Sequence, residues 1–132
     1  MIKIIQVKTH KRIELIDITE KIKNIVAESK INEGICWIFV PHTTAGITIN
    51  ENADPSVQTD IEEQLSKLIP HDSNYRHLEG NADAHIKSTI TNVNAHCFIE
   101  NGNIVLGTWQ GIFFCEYDGP RNRKLMVKVT RG

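Results

Sequence analysis

The chain has 132 residues, 40% hydrophobic and 23% charged, ordinary globular usage that suits one domain, residues 1–132, with its own core. Fifteen basic residues against sixteen acidic ones leave a net charge of −1, so no global field recruits nucleic acid or an anionic membrane surface. The longest apolar runs fall far short of the ~20 residues of a spanning helix, and the first residues lack the features of a signal peptide, so a cytoplasmic protein is expected.

In chain order, residues 2–7 and 12–18 read as two strands joined in a hairpin at Thr9-His10-Lys11. Asp17-x-x-Glu20 then resembles a capping box. Ile18, Ile22, Ile25 and Val26 recur at helical spacing, which predicts a helix of about three turns. Residues 35–40, bounded by Gly34 and Pro41, are too short for a core helix and read as a buried strand.

The next stretch, Pro41-His42-Thr43-Thr44-Ala45-Gly46-Ile47-Thr48-Ile49-Asn50-Glu51-Asn52-Ala53-Asp54-Pro55, crowds hydrogen-bonding side chains between apolar segments. Ile47, Thr48 and Ile49 suggest a short strand. Asp54 is a good N-cap and Pro55 suits the first helical position, where its missing N–H is one that a helix start leaves unpaired anyway. His42, Thr43, Thr44, Asn50, Glu51 and Asn52 are therefore expected to gather beside a helix N-terminus, where backbone N–H groups favour anions. Val57, Ile61, Leu65 and Leu68 mark the buried stripe of that helix, which Pro70 ends, with Glu62, Glu63 and Lys67 on its solvated face.

Residues 71–80 form a polar loop of the kind that often carries function. Asn81 is a reasonable N-cap for a further helix that turns Ile86 and Ile90 to the core and holds His85 in its first turns. The last third is β-rich. It contains a hairpin with arms at 96–99 and 103–106 turning at Asn101-Gly102, a strand over 111–117, and an alternating final strand over 124–129. The order ββαββααβββ, without regular βαβ alternation, indicates a single α+β domain with about three helices and a mixed or antiparallel sheet. Cys36, Cys97 and Cys115 are odd in number, far apart and set in apolar contexts without a Cys-x-x-Cys pair, as reduced core residues are.

Three sets of side chains can do chemistry. His42, His77 and His85, with Asp83 two residues before His85, offer the neutral imidazoles and carboxylate that a zinc-like divalent ion prefers, although each histidine also reads as a hydrogen-bonded structural residue. Thr108-Trp109-Gln110 places a hydroxyl, an indole and an amide between apolar strands; its plainer reading is a bulged junction around a core tryptophan. Asp118-Gly119-Pro120-Arg121-Asn122-Arg123 carries two guanidiniums that suit a phosphate or simply an exposed basic turn. Glycine-rich phosphate loops and Gly-x-Ser-x-Gly elbows are missing.

Three motifs carry a closer likeness. The segment from Pro41 to Glu51, Gly80-Asn81-Ala82-Asp83-Ala84-His85-Ile86-Lys87, and Leu106-Gly107-Thr108-Trp109-Gln110-Gly111-Ile112 through Asp118-Gly119-Pro120-Arg121 closely resemble the YjbQ family, also called the secondary thiamine-phosphate synthase family. The resemblance implies a barrel-like α+β fold, a homotrimer, and a polar cleft where motifs of neighbouring subunits meet. It also implies a divalent metal, zinc or magnesium, associated with histidines of the cleft, and a weak thiamine phosphate synthase activity. On this reading His42, His77 and His85 hold the metal, and Glu51, Asp83 and His85 are the catalytic candidates. Thr43, Thr44, Asn50, Thr108, Gln110 and Arg121 bind a phosphorylated small molecule. Hydrolysis of such a molecule with Glu51 as base is an alternative reaction, and a non-catalytic trimer that stores or senses a metal or phosphometabolite is the alternative class.

Overall fold

Eleven elements, seen in a computed structural model that describes residues 1–132, build the chain. They are β1 (Ile2–Lys8), β2 (Glu14–Asp17), α1 (Thr19–Ser29), β3 (Gly34–Phe39), β4 (Ala45–Glu51), α2 (Pro55–Leu68), α3 (Ala82–Thr91), β5 (Asn94–Glu100), β6 (Asn103–Ile104), β7 (Gln110–Glu116) and β8 (Asn122–Arg131). The last third holds the four strands read from its segments, one more than the order ββαββααβββ counts. A five-stranded sheet in the order β1-β8-β3-β5-β6 and a three-stranded sheet in the order β2-β7-β4 are both antiparallel throughout; together they make the curled half-barrel of a single α+β domain with three helices.

The core lies between the sheets. Ile18, Ile22 and Val26 from the α1 segment pack with Cys36 and Ile38 of β3, Ile47 of β4, Phe114 of β7, and Leu125 and Val127 of β8. Cys36, Cys97 and Cys115 are free and buried, as their apolar settings suggest. β3 is not buried on both sides, however. Cys36 and Ile38 face the core while Trp37 and Phe39 stand exposed on the outer face.

Two local expectations fail, the first because each strand's partner lies far away in sequence and the second because a nearer partner wins. β1 and β2 form no hairpin, because β1 pairs with β8 and β2 with β7, so the 9–13 linker crosses from one sheet to the other. Thr9 anchors that crossing, its hydroxyl donating to Glu116 Oε1 at 2.8 Å and accepting the Arg121 N–H at 2.9 Å. At α1 the N-cap residue is Ile18, and Asp17 accepts from the N–H of Thr19 at 2.9 Å; the turn is a local Asx motif rather than a capping box.

Helix α2 starts as its sequence dictates, Asp54 accepting the Ser56 N–H at 3.0 Å with Pro55 at the first position. Its apolar stripe is another matter, since none of its residues is buried and Leu68 is 67% exposed. Helix α3 also departs from its pattern. Ile86 and Ile90 face outward, and Asp83, Ala84, Lys87 and Ser88 face inward. The end of the helix presses on β4, where only glycine fits: a Cβ on Gly46 would stand 2.6 Å from Thr91 Oγ1 and 2.7 Å from the Asn92 carbonyl oxygen. Asp83 and Lys87 are tolerated on the inward face because they neutralise each other at 2.9 Å, and Arg12 adds a bidentate pair to Asp83 at 2.9 and 3.1 Å.

Candidate functional site

β3 ends at Phe39, and residues 40–44 carry the chain across to β4 at one end of the half-barrel. Backbone bonds pin this crossing: Val40 N–H donates to Val93 O at 2.7 Å, and Tyr117 N–H donates to Thr44 O at 3.2 Å. The Thr44 side chain is buried, and Arg123 Nη2 donates to its hydroxyl at 2.9 Å. Arg123 is in turn held by Glu116, through Nε to Oε1 at 2.8 Å and through Nη2 to Oε2. Burial alone would raise the Glu116 carboxyl, but the Arg123 guanidinium and further hydrogen bonds hold it below its ordinary range. This buried pair is the floor on which the 40–44 segment rests.

Above it opens a cleft of about 840 Å³. One wall is the 39–44 segment with His42, Thr43 and Thr44; the other is α3 with His85, Ser88 and Thr89, and Arg121 and Arg123 close the base. Ser88 fastens the two walls, its hydroxyl donating to Ala45 O at 2.6 Å. No acidic residue lines the cleft.

His42 Nε2 lies 3.0 Å from the Lys124 N–H and 3.1 Å from the Lys124 carbonyl oxygen, so that nitrogen is occupied by backbone and Nδ1 is the free one. Burial, and next the positive charge of Arg123, lower its pKa, so the imidazole is neutral at pH 7. Accessible positive charge in the cleft comes from Arg121. Its Nε donates to Asp118 O at 2.8 Å and its Nη2 to Asp118 Oδ2 at 3.1 Å, which orients the half-exposed guanidinium and leaves Nη1 free. His77, in the loop before α3, meets His85 edge to face with ring centroids 5.2 Å apart.

Of the sequence-predicted site residues, His42, Thr43, Thr44, His85 and Arg121 therefore converge, and His77 stands beside His85. The others do not. β4 is longer than the three residues expected, and its seven residues span about 20 Å at ~3.4 Å each. That length carries Asn50 and Glu51 to the far end of the strand, where Glu51 pairs across the sheet with Gln110. There the Glu51 carboxylate accepts the Ala53 and Asp54 N–H groups at 2.8 and 3.3 Å, and Gln110 Oε1 accepts the Gly107 N–H at 2.8 Å. Thr108 lies in the same turn, and Trp109, 64% exposed, is no core residue. Asp83 is wholly buried and committed to Arg12 and Lys87.

The donor set was tested against a divalent metal. No group of three or more His, Cys, Asp or Glu side chains converges in the chain, no carboxylate lines the cleft with His42, and Asp83 is spent elsewhere. A single subunit therefore does not offer a metal its usual shell. Ser88, Thr89 and Asn92, absent from the sequence reading, carry no motif signal. Arg123, read there with Arg121 as a phosphate grip or an exposed basic turn, is instead buried against Glu116 and Thr44. It shares the inward phase of β8 with Leu125 and Val127, and a charged residue on a core phase signals a buried partner.

Comparison with known proteins agrees with the fold and the motifs. The family model described as UPF0047 protein YjbQ-like matches residues 3–132. A UPF0047 protein of Methanocaldococcus jannaschii is 59% identical over 94% of this chain and 90% of its own length, and the UPF0047 protein YugU of Bacillus subtilis is 48% identical over 98% of each. A crystal structure of an uncharacterised YjbQ/UPF0047 protein from Clostridium acetobutylicum superposes with a TM-score of 0.95 at 49% identity, covering 97% of this chain and 99% of the other. A YbjQ-like protein of unknown function from Sulfolobus solfataricus gives the same TM-score, 0.95, at 35% identity over 100% and 97%. With its sheet order, its three motifs and these relatives in agreement, the chain belongs to the YjbQ/UPF0047 family.

Proposed function

We propose that the cleft binds the phosphorylated end of a small molecule and that the protein is a transferase of the thiamine phosphate synthase type. The observation that carries this reading is the convergence of His42, Thr43, Thr44, His85 and Arg121, drawn from three separate segments, on one cleft without a carboxylate. An anion meets no like charge there, and Arg121 presents a planar fork that matches phosphate oxygens.

The reaction breaks the bond between a hydroxymethylpyrimidine methylene carbon and its diphosphate, releasing pyrophosphate, and forms a bond from that carbon to the ring nitrogen of a thiazole phosphate. The departing diphosphate carries the electron pair away. The chain's own part is to clamp that diphosphate and hold the two rings in line. Arg121 supplies the charge, Thr43 a hydroxyl and His85 a donor to phosphate oxygen, while neutral His42 orients without adding charge. The metal suggested by the family likeness finds no complete ligand set in one chain, and no step is routed through it.

Assembly as a homotrimer belongs to the same proposal. It is supported by exposed Trp37, Phe39 and Phe98 on the outer face of the five-stranded sheet, and by the far-end group of Glu51, Thr108 and Gln110, which would reach a cleft only from another copy. Three free buried thiols suit a reducing compartment, the cytoplasm. No helix is long and apolar enough to cross a membrane.

A second reading is binding without turnover, favoured by the lack of any carboxylate base in the cleft. Steady-state assays with hydroxymethylpyrimidine diphosphate and thiazole phosphate separate the two. Thiamine phosphate formation by wild type, lost in His85→Ala with an unchanged circular dichroism spectrum, supports the transferase. Stoichiometric pyrophosphate binding by calorimetry with no product supports the binding protein, and absence of both overturns the cleft assignment.

A further inference from the structure

The outer face of the three-stranded sheet carries a second opening, and no residue lines both it and the cleft. Helix α2 crosses this face without burying any of its own residues: Ile61 and Leu65 are half-buried and Leu68 is exposed. The floor explains the gap. Where α2 passes, the sheet presents Thr48 and Cys115, short side chains that do not fill the space beneath an amphipathic helix. What remains is a slot of about 300 Å³, at the lower end of the roughly 300 to 1,000 Å³ of small-molecule sites.

Its chemistry is unlike that of the cleft. No charged side chain lines it. Leucine and isoleucine side chains of α2, with Leu15 of β2, make the walls apolar, and the hydroxyl of Tyr117 is spent on Thr91 Oγ1 at 3.1 Å. Three polar groups reach it, two from β4 and one from α2. Asn50 Oδ1 accepts the Glu51 N–H at 2.8 Å, which leaves its amide nitrogen free, while Thr48 adds a hydroxyl and Gln64 a second carboxamide.

We propose that this slot is a binding site for a neutral, planar heteroaromatic molecule with an amide-like edge. Neutrality follows from the uncharged lining, since a buried ion here would go unpaired. Flatness follows from the position between a helix and a sheet face, and the polar edge from the Thr48 hydroxyl and Asn50 carboxamide, two residues apart on one face of β4, the pattern of few oriented polar groups in an apolar site. A protein partner does not fit, because a helix about 10 Å across cannot enter so small an opening. The site stands whether or not the cleft reading does.

The test is a titration of the intact protein with carbostyril, a neutral fused lactam, followed by backbone amide chemical shifts, with naphthalene carboxylate as the charged control and with inorganic pyrophosphate present or absent. Saturable shifts should appear on α2 and at Thr48, pyrophosphate should not displace them, and the charged control should bind at least about tenfold more weakly. Ile61→Trp fills the slot and should cost about tenfold or more in carbostyril affinity. Gln64→Leu, at an exposed position that tolerates change, should cost several-fold with no change in helix content. The proposal is overturned if shifts do not saturate by millimolar probe or map to His42 and His85. Equal binding of the charged control, or wild-type affinity in natively folded Ile61→Trp, overturns it as well.

Discussion

At the scale of single residues, the cleft divides its cations into one that is spent and one that is free. Arg123 is buried against Glu116 and Thr44, so its charge holds the floor together. Arg121 is half exposed and keeps one terminal nitrogen unengaged. Arg121→Lys preserves charge but loses the planar fork, and pyrophosphate affinity should fall by about tenfold, on the scale of one charge-assisted hydrogen bond. Unchanged affinity by calorimetry would remove Arg121 from the site. His42 supplies a second check. With its pKa lowered by burial and by Arg123, its ring should titrate at a midpoint below the ordinary ~6.5 in an NMR pH series. Protonation below that midpoint adds positive charge to the cleft, so the ratio of wild-type to His42→Gln affinity for pyrophosphate, which cancels the ligand's own protonation at about pH 6, should rise as pH falls, the opposite of what a metal held by neutral imidazoles would show.

Among the elements, α3 shows where sequence reading stops. Helix α2 was legible because Asp54 and Pro55 are adjacent start signals that act within one turn. The inward face of α3 was not, because Asp83 reads as a catalytic carboxylate beside His85, and nothing near it in the chain announces Arg12, 71 residues away, which completes its set with Lys87. The cleft residues at 42–44 were legible as a polar cluster after a strand, whereas Asn50 and Glu51 were grouped with them only because the length of β4 was underestimated. Burial pushes the Asp83 carboxyl up, but hydrogen bonds from Arg12 and Lys87 outweigh it and bring it down to about 2. A depressed carboxyl contributes stability that is fully present above the unfolded value near 4 and is lost as pH falls toward the folded one. This group should therefore withdraw on the order of 2 kcal/mol between about pH 4 and pH 2. Asp83→Asn leaves two cations facing a neutral amide in a buried site and should cost about 3 to 5 kcal/mol at pH 7. Urea midpoints at pH 7 and at low pH measure both effects. A variant as stable as wild type would show that the triad is not what holds α3, and with it His85, against the sheet.

For the whole molecule, the outer face of the five-stranded sheet is the feature a lone subunit does not explain. The register sets Ile2, Lys128, Trp37 and His96 in one row and Ile4, Met126 and Phe39 in the next, with Phe98 beside Ile35. Ile2, Ile4, Trp37, Phe39 and Phe98 are each about half exposed. With aromatic side chains of roughly 150 to 250 Å² apiece, the patch reaches several hundred Å², at or beyond the roughly 300 to 600 Å² of the largest patch on a typical monomer. A net charge of −1 opposes no approach of a second copy. If this face joins subunits, sedimentation should give a mass near three times the 15.0 kDa chain, and Phe98→Glu, which buries a charge at the contact, should shift it toward the monomer with its circular dichroism unchanged. The split motifs extend the prediction. Glu51 and His85 lie at opposite ends of the fold, so a cleft that uses both draws them from different copies. Glu51→Ala and His85→Ala, each defective in product formation as a pure protein, should then regain activity when unfolded together and refolded as a mixture, because some assemblies contain one cleft with both native residues. A concentration-independent monomer in the wild type would sink the assembly, and a mixture no more active than its components would show that each cleft is served by a single chain.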